Sequence, residues 1–564
     1  MTIYRSKRPD FDYAPSTSIF TFLKRNESPS DAKRVAFIDA VTDERITRGQ
    51  VFDFALRVGY GVKQIGGKRG DVAMILCPNS IAWPYTFLGL QAAGLRPTLA
   101  NVAYTPPELT HQLKDSRAHL IFVHPLLFPT VINTLNGLGL KEGEIKKRVI
   151  IMSHTSQDEK DEKTVGIPAS WRRLKELRNG GKLAKEEEFN GSQVHETALL
   201  CYSSGTTGLS KGVETTHENI TSVIQISKPV FPPISSDKDV GLAVLPFFHI
   251  LISLVVLFFF DFKVPNVVMA KFEPVLFCAS VEKYKVTTSA IVPPILLGLT
   301  LHPAANKYDL RTIKTLFSGA APLSAGLVKR VKQKFISRGN HDAVITQGYG
   351  LTETSPTAIW FLRLLLPNLE VRLVDDDEKD VPPGPDSRGE LWIRGKIIMK
   401  GYLNNARATK ECITPDGWFK TGDIAIIDNE GFYYIVDRKK ELIKYKGFQV
   451  PPADLEAVLL THPDVADAGV IGIYSQKDET ELPRAYISPK NAALADPKNR
   501  DQCKAFERAV QDWIKSKVAH HKQLRGGVIV IAAIPKSPTG KILRRELREL
   551  AKQEAKATSA TAKL

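Results

Sequence analysis

Short apolar runs alternate with helix-spaced apolar positions through the first two hundred residues. Asp71-Val-Ala-Met-Ile-Leu-Cys77 and His119-Leu-Ile-Phe-Val123 read as buried strands. Between them Ile81–Ala93 carries helical spacing and stops at Gly94. This alternation predicts βα units around largely parallel sheet. Further strands are expected at Val240–Leu245, Asn266–Met269, Thr312–Ser318, Val371–Val374, Glu390–Arg394 and Phe432–Val436. The longest apolar run, Ile250–Phe260, has eleven residues between His249 and Asp261. A bilayer core needs about 20, so a buried helix is expected there.

After Val436 the pattern changes. Asp437–Gln449 is dense in charge, Pro451-Pro452 follows, and a short amphipathic helix is expected over Asp454–Thr461. A longer helix is expected over Gln502–Lys517. In Lys541–Lys556 the spacing of Leu543, Leu547 and Leu550 predicts one that packs on a small domain. The expected fold class is therefore α/β. A large N-terminal domain (1–436) holds βα-type subdomains with mixed or parallel sheets. A small mobile α+β domain (437–564) ends in a flexible tail.

Composition narrows the function classes. Hydrophobic residues at 43% and charged residues at 24% are ordinary for a globular chain. Cys77, Cys201, Cys278, Cys412 and Cys503 are scattered without CxxC spacing, which reads as reduced thiols and not a zinc site or disulfide frame. No secretory apolar segment occurs in residues 1–10. The net charge of +16 is dispersed among acids and no nucleic-acid module is present, so it favours small anions over nucleic acid. The final Ala562-Lys563-Leu564 is a variant of the Ser-Lys-Leu address, which predicts a peroxisomal import receptor as partner and peroxisomal, otherwise cytoplasmic, location.

The most informative string is Ser203-Ser-Gly-Thr-Thr-Gly-Leu-Ser-Lys-Gly-Val213, which follows the strand-like Thr197–Tyr202. Such a loop turns freely and offers backbone N–H, hydroxyl and ammonium donors to a polyphosphate. It is not a Walker A loop, since Gly212, and not Ser or Thr, follows Lys211. Gln347-Gly-Tyr-Gly-Leu-Thr-Glu-Thr354 sets a ring between glycines, suited to a flat base, with a carboxylate suited to a phosphate-bound metal. Asp423, beyond Gly422, is suited to accept two ribose hydroxyls. Lys541 stands in the Pro/Gly-rich Pro535–Arg545, and His249 closes Leu245-Pro-Phe-Phe-His249.

Across essentially the whole chain these strings resemble the acyl-adenylate-forming enzymes: acyl-CoA synthetases, 4-coumarate–CoA ligases, beetle luciferases and peptide-synthetase adenylation domains. Glu441–Pro452 is especially similar to the 4-coumarate–CoA ligases. The resemblance implies an acid–CoA ligase using ATP, Mg²⁺ and coenzyme A. It implies phosphate contacts from Ser203, Ser204, Gly205, Thr206, Thr207 and Lys211, and an adenine site at Ala320, Gln347, Gly348 and Tyr349. Thr352 would meet the α-phosphate, Glu353 hold Mg²⁺, and Asp423 and Arg438 bind ribose. Lys440 would be the hinge. Lys541 would bridge the substrate carboxylate and the α-phosphate. Lys444 and Gln449 fall on AMP-contacting positions and Lys446 and Gly447 on CoA-contacting ones, with Lys271 a further CoA candidate. Thr352, Glu353, Lys444 and Lys541 form the implied catalytic set. His249, Leu251, Ile252, Gly319, Gly350 and Pro356 would line the acyl pocket.

Three positions depart from the resembled pattern. Ser210 stands where proline is usual. Twelve residues without glycine, Ser355–Leu366, replace the glycine-rich stretch that normally helps wall the acyl pocket. Leu251 and Ile252 replace a Tyr and a small residue, which favours an aliphatic or arylalkanoic acid over a hydroxycinnamate. A relative with another acyl acceptor, or a nucleotide-binding chain without turnover, would carry the same motifs.

Overall fold

The computed structural model describes residues 1–564 except 204–209, 320–322, 324, 361–362, 385–386, 447, 477, 479, 538–539 and 562–564, and gives backbone alone at 449, 497 and 556–561. Two seven-stranded sheets dominate the larger part. In the first, Val72–Leu76, Arg96–Leu99, Leu120–Val123, Val149–Ile151 and Thr197–Ser203 run parallel. Lys211–Thr216 then pairs antiparallel with Thr197–Ser203, so the strands on either side of the glycine-rich string are neighbours. In the second, Val35–Asp39, Asn266–Val268, Gly241–Ala243, Thr288–Ile291, Thr315–Ser318 and Val344–Gln347 are parallel neighbours. A third sheet is antiparallel: Tyr4–Arg5, Glu370–Val374, Arg388–Arg394, Phe419–Ile427 and Tyr433–Arg438.

Helices apolar on all sides fill the space between the parallel sheets, as such helices must. Ala82–Ala92 is buried along its whole length, and Trp83 stacks on Phe87 at 4.9 Å. Ile250–Asp261 is the buried helix expected from the apolar run. Its first turn is closed by His249, whose Nδ1 accepts from the Leu251 N–H at 3.2 Å.

Beyond Arg438 a smaller unit has its own core of Leu455, Val470, Ile487, Val510 and Ile514. Val465–Ser475 and Thr480–Pro489 pair antiparallel and Val528–Val530 adds a parallel edge. The helices are Pro452–Leu459, Arg500–Lys515 and Arg544–Thr561. Two expectations shift. The strand expected to end at Val436 continues to Arg438, because Arg438 pairs in register with Asp423. On the last helix Leu547 is buried but Leu550 is 36% exposed; Ala551, four residues after Leu547, takes the inward position.

The charged stretch after the third sheet is organised by one cation. Arg544 donates to Glu441 Oε2 at 2.9 Å, to both oxygens of Glu456 at 2.8 and 2.9 Å, and to the Val470 carbonyl. Asp437 lies close by and accepts from the Arg438 and Ala453 N–H groups. Burial pushes Asp437 up to about 6 and Glu456 up to about 7, with the Arg544 charge opposing both. The folded state therefore holds more protons than the unfolded chain between the ordinary carboxylate range and about pH 7. These groups contribute stability that is present at low pH and lost as pH rises through that interval. Glu456→Gln cannot lose it. The stability deficit of this variant relative to the unsubstituted chain is expected to be larger at pH 5 than at pH 7.5, by on the order of 2 kcal/mol. Denaturant unfolding at the two pH values measures it; an equal deficit at both would contradict the assignment.

Candidate active site

The third sheet, the strand ends of the two parallel sheets and the loop before the last helix meet around a cavity of about 940 Å³. Loops at the carboxyl ends of parallel strands are where an α/β sheet can offer groups to a ligand. Thr315–Ser318 leads into Gly319, and Val344–Gln347 leads into Gly348-Tyr349-Gly350. Gly350 is required by contact: a Cβ there would stand 1.7 Å from the Pro356 carbonyl oxygen. Gly422, at φ +71°, makes the left-handed turn that precedes Asp423.

Ser203, Lys211, His249, Leu251, Gly319, Gly348, Tyr349, Gly350, Thr352, Glu353, Pro356, Arg438, Lys440 and Lys541 all line this cavity. Asp423 is buried against it, accepting from the Tyr349 hydroxyl at 2.7 Å and pairing with Arg438 Nε at 3.3 Å. Burial raises the Asp423 carboxyl above its usual range, while Arg438 and Tyr349 act against that rise. Burial likewise raises the Tyr349 phenol, with the Asp423 charge adding to it.

Glu353 is buried, and its Oε1 accepts from Tyr402 OH at 2.8 Å and Ser203 Oγ at 3.2 Å. Both donors are neutral. Among the described residues no cation lies within ion-pair distance of this carboxylate, so a divalent cation fits the donor set. Lys541 is its counterpart. It is half-buried, lines the same cavity and has no ion-pair partner among the described residues. Burial, followed by the Arg438 charge, lowers its pKa. Gly540 beside it packs on Pro294, at a spacing where an added Cβ would stand 2.9 Å from the ring. His249 is lowered to about 4 by burial and the Lys541 charge, and its Nδ1 is occupied by the helix cap. It is a neutral wall residue.

Other expected positions lie elsewhere. Gln347 ends its strand without lining the cavity. Ile252 points into the core, fully buried in the first turn of its helix. Lys271, Lys444 and Lys446 are exposed and away from the cavity. Lys444 and Lys446 sit on a hairpin whose backbone is fastened to Glu481 and Thr480. Ser204, Gly205, Thr206, Thr207, Ala320, Gly447, Ala562, Lys563, Leu564 and the Gln449 side chain fall outside the described residues.

Tyr402 was not legible from the sequence. Its role arises because Gly401–Tyr402 pairs antiparallel with Lys211–Thr216, the strand that follows the glycine-rich loop. That pairing sets the ring 4.8 Å from the Lys211 ammonium and its hydroxyl on Glu353. No local spacing encodes such a contact. The shortened Ser355–Leu366 segment also resolves into structure. Ile359–Trp360 pairs with Leu364–Leu365, and the Tyr349 N–H donates to the Ile359 carbonyl at 2.8 Å. A two-stranded ladder thus stands at the site where a glycine-rich stretch was expected, with Trp360 in the cavity lining.

Residues 25–403 match the AMP-binding enzyme family, and residues 454–541 match the AMP-binding enzyme C-terminal domain. The chain is 36% identical to "Probable 4-coumarate--CoA ligase 1" of Dictyostelium discoideum, over 97% of this chain and 98% of that one. It is 37% identical to "4-coumarate-CoA ligase 1" of Narcissus pseudonarcissus, over 97% and 96%. In fold it resembles the anthranilate CoA ligase AuaEII in complex with anthranoyl-AMP, with a TM-score of 0.82, 23% identity and coverage of 96% and 99%. ATP-bound MatB from Rhodopseudomonas palustris gives 0.77 and 21%, over 94% and 98%. The fold and cavity are those of a two-part α/β nucleotide-binding enzyme. The chain belongs to the AMP-binding enzyme family.

The hydroxyl of Tyr402 is one of two neutral donors on a buried carboxylate. Tyr402→Phe is expected to lower stability by about 1.5–3 kcal/mol, the usual worth of a hydrogen bond to a charged group. Ser203→Ala, whose bond is longer, should cost less. Denaturant titration of both variants checks the order; a neutral Tyr402→Phe would contradict the geometry.

Proposed function

We propose that the chain is an ATP-dependent acid–CoA ligase, which activates a carboxylic acid as acyl-AMP and passes the acyl group to coenzyme A. The observation that carries this reading is the Lys541 ammonium, unpaired among the described residues, on the wall of the cavity that also holds Glu353 and the Tyr349–Asp423 pair. Full-length relatives named 4-coumarate–CoA ligases support it.

In the first half-reaction the substrate carboxylate attacks the α-phosphorus of ATP and pyrophosphate leaves. The carboxylate is already nucleophilic, so the protein contributes positioning and electrostatics. Tyr349 faces the adenine. Asp423 and Arg438 take the ribose, and Ser203 and Lys211, with the loop at 204–207, hold the leaving phosphates. Thr352 meets the α-phosphate. Glu353 is the residue that would hold Mg²⁺, which when bound supplies positive charge to the polyphosphate. Lys541 stabilises the negative charge that grows on the α-phosphate oxygens. The domain boundary falls at 436/437. In the second half-reaction the small domain turns about Lys440, withdraws Lys541 and brings Lys446 and Gly447 to coenzyme A, whose thiol displaces AMP. The present exposure of Lys444 and Lys446 suits groups that act after such a turn. Import into peroxisomes through Ala562-Lys563-Leu564 is part of the proposal. It predicts that a fluorescent fusion loses punctate location when Leu564 is removed.

Pyrophosphate release is expected to require both ATP and an acid, and CoA thioester to form on adding coenzyme A. Lys541→Ala should slow adenylation by about 10²–10³, the usual cost of losing a donor aimed at developing charge. It should leave fluorescence-detected nucleotide binding largely intact. Adenylation at the unsubstituted rate would refute the role of Lys541. Acid-dependent pyrophosphate release without thioester would point to another acceptor, and no release with any acid would point to a nucleotide-binding chain without turnover.

A further inference from the structure

Part of the cavity wall is built from three segments, 248–251, 317–319 and 356–360, and the middle one touches both of the others. Leu251 leans on Gly319, its Cδ2 standing 3.0 Å from where a Cβ would be. Phe317 lies in the strand that leads into that glycine and meets the Trp360 ring at a centroid distance of 5.8 Å. Pro356 presses on Gly350. Behind the cavity Trp360 lies against Phe231 at 5.8 Å and Phe258 at 5.9 Å, both deep in the core. The indole is 2% exposed and still lines the cavity, so it closes the space between the opening and these two phenylalanines.

Among the described residues of these three segments none carries a formal charge, and Lys541 is the cation whose field reaches His249. The lining acids and bases come from other segments, namely Glu108, Lys211, Glu353, Glu390, Glu411, Lys420, 438–441 and 536–548. His249, the one titratable group within the three segments, is held neutral by burial and by the Lys541 charge. A second carboxylate set against Leu251, Phe317 and Trp360 would be desolvated by side chains that offer it no charge in return, which is costly.

We infer that Trp360 is the floor of the acyl-binding end and restricts this protein to compact, uncharged monocarboxylic acids. This inference rests on the ligase reading above. The residue comes from the shortened segment, the place where the chain departs most from the resembled enzymes, so the departure creates a specificity element. With the ring removed, the pocket extends toward Phe231 and Phe258. Each methylene that then gains burial is worth about fourfold in kcat/KM.

The test compares kcat/KM for propanoic, hexanoic, octanoic and 3-phenylpropanoic acids and for hexanedioic acid. Pyrophosphate release and thioester formation are read together. The unsubstituted protein should favour the shorter uncharged acids and use hexanedioic acid at least about 100-fold less well than hexanoic acid. Trp360→Ala should raise the octanoic-to-propanoic ratio by about tenfold or more, Trp360→Leu by a smaller factor, and neither should change KM for ATP. Trp360→Leu keeps much of the apolar packing, and melting curves of both variants report whether the fold is retained. If Trp360→Ala does not fold, the Trp360→Leu ratio decides alone. An unchanged ratio in the folded variants, or an unsubstituted protein that prefers octanoic or hexanedioic acid, would overturn the inference. Absence of turnover with every acid would instead refute the ligase reading on which it rests.

Discussion

Two opposite charges, a buried carboxylate and a half-buried ammonium, line one cavity of this protein, and neither has an ion-pair partner among the described residues. Glu353 is held by the hydroxyls of Tyr402 and Ser203, and Lys541 is brought in by a loop that packs on Pro294. An unpaired buried charge is expensive, and a fold keeps one only where a ligand completes it. A polyanion accompanied by a divalent cation satisfies both at once: the cation sits with Glu353 and the anion with Lys541. The rest of the architecture serves this arrangement. The antiparallel return after the glycine-rich loop positions Lys211 and Tyr402, and the third sheet supplies Asp423 and Arg438 in register. Arg544 gathers Glu441 and Glu456 three residues beyond Lys541.

The apolar end of the cavity follows a different physics. There the packing of Leu251, Phe317 and Trp360 decides what fits, and none of the three carries a charge. A single site thus joins a charged half, where position and field matter, to a dry half, where volume matters. Such a division lets adenylation chemistry stay constant while the acid is selected by a few side chains.

Much of this was readable in advance because local pattern and tertiary demand agree. Val72–Leu76 and Leu120–Val123 are strands whose both faces are buried, and continuous apolar runs announce them. Ile250–Asp261 was evident from length and hydrophobicity alone. The segments carrying Tyr349 and Lys541, and the bend at Gly422 before Asp423, were legible because glycine and proline mark backbone that must turn sharply, and Gly350 against Pro356 is the clearest instance. What escaped was long-range. Tyr402 is called to Glu353 by strand pairing across almost two hundred residues of sequence, and Arg544 to its carboxylates by packing of the small unit. Ile252 was misjudged by one helical step: Leu251 faces the cavity and its neighbour faces the core. Trp360 lay within a segment noted only for its missing glycines.

In the proposed reaction a carboxylate oxygen becomes bonded to the α-phosphorus before sulfur displaces the nucleotide. Turnover of an acid labelled with ¹⁸O in both carboxyl oxygens, in the presence of ATP and coenzyme A, tests this directly by mass spectrometry of the products. AMP carrying one ¹⁸O atom and unlabelled pyrophosphate are expected. Label in inorganic phosphate, or unlabelled AMP accompanying labelled thioester and water, would contradict it.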